Sequence, residues 1–181
     1  MKNQPLRSAA DGEFQDGPIG LACCPTLDPL QKRAERYAKE VSDEYNAISK
    51  KQRPPKLSMC VAVVRDKKTG IVYYARSGDF TYSGDRALKR SEAHPDLDMP
   101  IKSLETKIPL GSCAETKAIN KALWDQQRRD GHTRKEDLQI AAANVADGSP
   151  KQCCKNCLRM TASMSVSPAT ARTAVNKNRW R

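Results

Sequence analysis

Nowhere does this chain approach the roughly 18 consecutive apolar residues that a membrane-spanning helix requires, so no membrane partner is expected. Its first residues, MKNQPLRSAADGEF, contain no apolar stretch of the kind a secretory signal carries. Cysteine occurs seven times, an odd number that suits no complete disulfide framework, so reduced thiols and a cytoplasmic setting are expected. Histidine is nearly absent, with His94 and His132 alone. Acidic residues disappear at the end: from Lys151 to Arg181 there are seven basic side chains (Lys151, Lys155, Arg159, Arg172, Lys177, Arg179, Arg181) and none of opposite sign.

What the chain has in excess is positive charge. Its 32 lysines and arginines against 21 acidic residues leave a net charge of +11, which attracts polyanions and speeds encounter with them. A nucleic acid is therefore the expected partner. A solvated tail kept soluble by charge would account for the C-terminal excess equally well. The 181 residues suit one domain whose core needs no disulfides. Residues 1–27, aperiodic and mixed in Gly, Pro, Gln and acidic residues, read as a disordered or linker-like lead-in, residues 28–176 as the domain, and residues 177–181 as a basic tail.

Asp28 can cap a helix, Pro29 fits its first position, and Leu30, Ala34, Tyr37, Val41, Tyr45 and Ile48 recur at helical spacing until KKQRPP forbids continuation. Leu57 to Val64 (LSMCVAVV) is an apolar, β-branched run that predicts a central strand, with Cys60 as core filler. DKKTG turns the chain, and Ile71 to Ala75 (IVYYA) returns as a hairpin partner. Residues 78–112 are polar and broken by Gly and Pro, as functional or lid-like segments are, with room for a short helix near ALKRSEA. Ala114 to Arg128 reads as a helix with the stripe Ala118, Ile119, Ala122 and Leu123, ended by DGH. Leu138 to Val145 (LQIAAANV) is a third strand, and after ADGSPKQ a last helix begins near Cys154. Helix, strand, strand, helix, strand, helix is an α/β order in which helices pack on a sheet.

Two cysteine strings fall at predicted helix N-termini, SCAE over 112–115 and CCKNC over 153–157. A helix N-terminus favours negative charge, which lowers a thiol's pKa and suits a metal ligand. Cys154 and Cys157, two residues apart, put both sulfurs on one side of an ion, and Cys113 supplies a third ligand. Three protein ligands leave a fourth position for water, as in catalytic zinc sites. Glu115 is the candidate base, because in a first helical turn it and Cys113 can address the same ion.

S-C-A-E before an alanine-rich helix, then a strand, then C-x-x-C opening another helix, resembles the zinc nucleobase deaminases, with cysteine in place of their histidine. Within this cytidine-deaminase-like superfamily the strings GSCAETKAINKAL and C-K-N-C are most similar to the YwqJ-like deaminases of bacterial polymorphic toxin systems, over roughly residues 57–165. The resemblance implies a three-layer α/β fold with a central mixed sheet of about four or five strands and helices on both faces. It also implies Zn²⁺ as cofactor and hydrolytic conversion of cytosine to uracil in single-stranded DNA or RNA. A toxin or effector role would follow, with delivery into a target cell's cytoplasm and an immunity protein as partner. Ser112 and Ala114, flanking Cys113, and His94 and Trp180 are the candidate substrate contacts.

Two departures from the family pattern stand out. Cys153 occupies the position where the family has proline, and it creates a competing C-x-x-x-C register. Only 24 residues follow Cys157, barely enough for one or two final strands. A free-nucleoside cytidine deaminase is an alternative, but the G-x-N-x-E-N-like segment by which such enzymes hold ribose has no counterpart in YYARSGDFTYSGD. A zinc-stabilised nucleic-acid binder without activity, with Cys23 or Cys24 as fourth ligand, a buried thiol cluster, and a redox C-x-x-C are further readings. His94 and His132 are expected to be exposed, Trp124 to pack, and Trp180 either to stack on a base or to fray.

Overall fold

A computed structural model describes residues 29–48, 60–78, 87–100, 102 and 111–169. In chain order the elements are α1 (Pro29–Ala47), β1 (Cys60–Asp66), β2 (Val72–Arg76), α2 (Ala114–Asp130), β3 (Leu138–Asn144), α3 (Lys155–Ser163) and β4 (Ser167–Pro168), with short 3-10 turns at Arg90–Glu92 and Lys135–Asp137. Alternation along the strands decides which helix covers which face. Val61 and Val63 of β1, with Ala141 and Ala143 of β3, pack against Leu30, Ala34, Ala38 and Val41 of α1. Ala62 and Val64, with Leu138 and Ile140, pack against Ala118, Ile119, Ala122 and Leu123 of α2 and Met160 of α3. The result is a three-layer α/β fold around a four-stranded mixed sheet of order β2-β1-β3-β4.

The strands end where partners, rather than apolar composition, stop. β1 runs to Asp66 instead of Val64, because Arg65 and Asp66 still pair with Gln139 and Leu138 of β3; residues 57–59 lie outside the described part. β2 starts at Val72 and extends to Arg76, which pairs with Val61. β4 is two residues long and parallel to β3, pairing Ser167 with Gln139 and Pro168 with Ile140. Gly131 ends α2 in the left-handed conformation at φ 73°, donating its N–H to the Gln127 carbonyl at 3.0 Å. Among the described residues no helix is long and apolar enough to cross a membrane.

Of the 78–112 segment, residues 87–100 form a packed strap over α2, where Leu97 and Met99 join the core beneath and Arg90 donates to the Pro100 carbonyl at 2.6 Å, whereas 79–86, 101 and 103–110 lie outside the described residues. The helix expected near ALKRSEA is only the 3-10 turn at Arg90–Glu92. Gln31, polar by sequence, is fully buried on α1 and donates to the Ala142 carbonyl at 3.2 Å, so α1 is fixed to β3 by a hydrogen bond as well as by burial.

Asp66 holds the end of the molecule remote from the start of β1. Its carboxylate accepts the backbone N–H groups of Lys68 (2.9 Å) and Thr69 (3.2 Å), which closes the hairpin turn, and those of the Gln126 amide (3.0 Å) and Arg129 guanidinium (3.3 Å), which clamps the C-terminal half of α2. Burial pushes this carboxyl up, but the donors, led by Gln126, outweigh it and hold the pKa below the ordinary 3.8. A depressed folded pKa gives stability that is complete above 3.8 and is lost as pH falls through the folded value. Asp66→Ala should therefore cost about 2 kcal/mol at neutral pH, since it leaves the Lys68 and Thr69 N–H groups without their acceptor and takes one of two acceptors from the Gln126 amide and from Arg129, which keep the Arg134 carbonyl and Asp125, and the deficit should shrink in acid. Urea unfolding of both proteins at neutral pH and in acid measures this, and an equal midpoint at neutral pH would contradict it.

Candidate metal centre

Antiparallel pairing brings two distant helix tips together. Because Cys60 pairs with Asn144, the start of β1 lies beside the end of β3. Helix α2 begins over the start of β1, where Ala114 and Cys60 share one core cluster. Beyond the end of β3, Pro150 bridges Ala143 and the Lys151 N–H donates to the Ala142 carbonyl at 2.9 Å, which fixes the approach to α3. A tight turn at Gly111 (φ 80°) leads into Ser112; a Cβ there would collide with the Leu88 carbonyl oxygen, so only glycine fits. Gly78, after β2, donates its N–H to the Ser112 carbonyl at 2.7 Å and accepts from Lys117 Nζ at 2.8 Å, so the tip of α2 is held from both strands.

Cys113 and Cys154 are the N-cap residues of α2 and α3, extended at φ −70°, ψ 138° and φ −67°, ψ 166°. Neither side chain caps its own helix, and the two sulfurs face each other at 3.3 Å. Cys157, in the first turn of α3, is fully buried, and its sulfur with those of Cys113 and Cys154 forms a group whose members all lie within 4.8 Å of one another. Tetrahedral thiolates at about 2.3 Å from zinc stand about 3.8 Å apart, within that range. The three soft donors therefore suit Zn²⁺ and can hold a metal ion.

The thiols are not electrostatically equivalent. Cys154 is pulled down to about 3, first by the hydrogen bond from Cys113, then by Cys157 and by the backbone N–H groups of Cys157 and Asn156, so it ionises first. Cys113 is pushed up by its bond to Cys154, and Cys157 by its bonds to Cys113 and Cys154 together with burial. A helix N-terminus thus does not lower Cys113, because Cys154 takes the charge. A divalent cation would remove the conflict among three adjacent thiolates. Thr116 Oγ1 lies 3.7 Å from the Cys157 sulfur and can orient it.

Glu115, in the first turn of α2, is 2% exposed. Burial pushes its carboxyl up and the neighbouring Cys154 charge adds to this; its own backbone N–H, the Cys153 thiol and the Lys151 ammonium oppose the shift without cancelling it. The group that could hold a metal comprises Cys113, Cys154 and Cys157 and leaves out Cys153, whose thiol burial and the neighbouring Glu115 push up. Cys60 is core filler as expected, yet it also borders the site: burial, with the Glu115 charge next, raises its thiol to about 12.

Ser112 and Ala114 are buried at the α2 tip. His94 was expected at the surface but is 5% exposed. Its backbone N–H donates to Asn120 Oδ1 at 2.7 Å, its Nδ1 accepts the Asp96 N–H at 3.0 Å, and its ring meets Trp124 edge-on at 4.6 Å. Burial lowers its pKa, so the ring is a neutral packing group against the middle of α2. Trp124 is 39% exposed and packs on the strap, donating to the Glu92 carbonyl at 3.3 Å. His132 is exposed in the turn, as expected. Trp180, Cys23 and Cys24 lie outside the described residues. Thr116 escaped the sequence reading although its position, three after Cys113, puts it on the same helical face. Cys60 and Ser77, whose Oγ accepts the Cys60 N–H at 2.8 Å, carried no local signal.

No family model, curated protein or solved structure matches the chain.

Proposed function

We propose that the chain is a zinc-dependent hydrolytic deaminase that converts cytosine to uracil in single-stranded DNA or RNA, acting as a toxin or effector domain. The observation that carries this reading is a group of three thiols able to hold a metal, with a buried carboxyl whose pKa burial raises on the same helix tip. The resemblance of SCAE and C-K-N-C to the YwqJ-like deaminases supports it, as does the α/β order around them. Cys113, Cys154 and Cys157 would hold zinc. When bound, zinc lowers the pKa of a coordinated water toward neutrality. Deamination consumes one water: a C4–O bond forms, the C4–N bond breaks and ammonia leaves. Glu115 takes a proton from that water and delivers it to the departing nitrogen, a task that suits a carboxyl whose pKa burial has raised toward working pH. Ser112 and Ala114, at the same tip, border the base.

Metal analysis combined with ammonia and uracil release from single-stranded DNA, single-stranded RNA and free cytidine tests the reading. About one zinc per chain with release from an oligonucleotide is expected. Zinc without ammonia from any of the three substrates would reduce the centre to a structural one.

A further inference from the structure

Two of the three thiols face each other as well as a common centre. Cys113 and Cys154, 41 residues apart in the chain, hold their sulfurs at 3.3 Å. A disulfide needs about 2.0 Å, so only about 1.3 Å of closure separates this contact from a bond. Both residues are N-caps with extended backbone, one following the Gly111 turn and the other the approach from Pro150, so that closure deforms no helix. Cys157 lacks this freedom. It lies inside α3, its carbonyl accepts from Thr161 Oγ1 at 2.8 Å, and its side chain is fully buried. Access divides the three thiols as well: Cys154 is partly exposed, whereas Cys113 and Cys157 are buried, so a small oxidant meets Cys154 first.

We propose that Cys113 and Cys154 are a peroxide-sensitive pair whose oxidation to a disulfide takes two of the three donors from the metal centre. The Cys154 sulfur takes a hydroxyl from hydrogen peroxide as the O–O bond breaks, giving a sulfenic acid and one water. The Cys113 sulfur then attacks the Cys154 sulfur, the S–O bond breaks, and hydroxide leaves with the Cys113 proton as a second water. Two thiols and one peroxide become one disulfide and two waters, with two electrons passing from sulfur to oxygen. A disulfide sulfur is no longer a thiolate donor, so Cys157 alone remains and does not hold the ion. A thiol reductant restores both donors. The loss of metal rests on the zinc reading above, whereas the bond requires only the sulfur contact.

Trypsin separates the thiols concerned, since Cys113 falls in peptide 108–117, Cys154 in 152–155 and Cys157 in 156–159. The full chain as purified is treated with a few-fold molar excess of hydrogen peroxide, desalted, blocked with iodoacetamide and mapped by mass spectrometry before and after dithiothreitol. The expected product is 108–117 joined to 152–155, two hydrogens lighter than the two peptides together. Zinc should fall from about one per chain to below about a tenth, and dithiothreitol with added zinc should reverse both changes. Cys153→Ser leaves a single cysteine in 152–155 and should give the same link. Fragmentation of the linked peptides between Cys153 and Cys154 makes that assignment in the wild type. Free Cys113 after treatment, a link of 152–155 to 156–159, loss of the link in Cys153→Ser, or sulfinic acids that dithiothreitol leaves untouched would each overturn the proposal. The two readings fail separately. A Cys113–Cys154 link in a chain that binds no zinc keeps the redox pair and removes the metal centre, whereas ammonia release with both thiols free under peroxide keeps the deaminase and removes the pair.

Discussion

Glu115→Gln should leave zinc content unchanged while ammonia release falls by about 10²- to 10⁴-fold, the usual contribution of a positioned proton-transfer group. Glutamine keeps the shape of the buried side chain, so the α2 tip should retain its packing. What it loses is the ability to take up and deliver a proton. The substitution also removes an acid whose charged form is disfavoured by burial, so the thermal midpoint of the variant should equal or exceed that of the wild type. This combination separates a proton shuttle from a structural residue, because a residue needed only for folding would lose activity and stability together. Unchanged turnover in Glu115→Gln would remove Glu115 from the chemistry even if zinc is present.

The sequence made the elements legible wherever a signal is local. Helix periodicity from Leu30 to Tyr45, the apolar run ending at Val64, and the Gly131 stop after α2 each depend on neighbours within a few residues. The gathering of three thiols that could hold a metal was legible for the same reason: Cys113 and Cys154 announce themselves as N-cap residues, and Cys157 follows one turn later. Features set by partners far along the chain were not. His94 is buried because Asn120 and Trp124 receive it across a 3-10 turn, which no pattern near His94 reveals. Cys153 looked like a rival ligand, and its place beside Glu115 depends on how two helix tips meet. The order in which the thiols ionise is likewise a property of their through-space coupling, and it set Cys113 and Cys154 apart although each occupies the same position on its helix.

Cys157→Ser should abolish zinc binding and lower stability by more than the loss of one buried side-chain contact. A serine hydroxyl is not ionised at neutral pH and is a harder donor than a thiolate, so the fully buried position would no longer contribute a ligand. An ion bound only by the folded chain stabilises it by about 4 kcal/mol when present at about a thousand times its dissociation constant, and that stabilisation disappears with the ion. Chelation of the wild type should therefore reproduce the thermal shift of Cys157→Ser, whereas chelation of the variant should add nothing. Cys153→Ser supplies the internal control, since its sulfur is left out of the group of three and the variant should keep its zinc. X-ray absorption then counts the ligands. Three sulfurs and one lighter atom match the described group with an exchangeable fourth position, the condition for hydrolytic chemistry. Four sulfurs would mean that another cysteine closes the coordination sphere, leaving a zinc-stabilised α/β domain with no place for the attacking water.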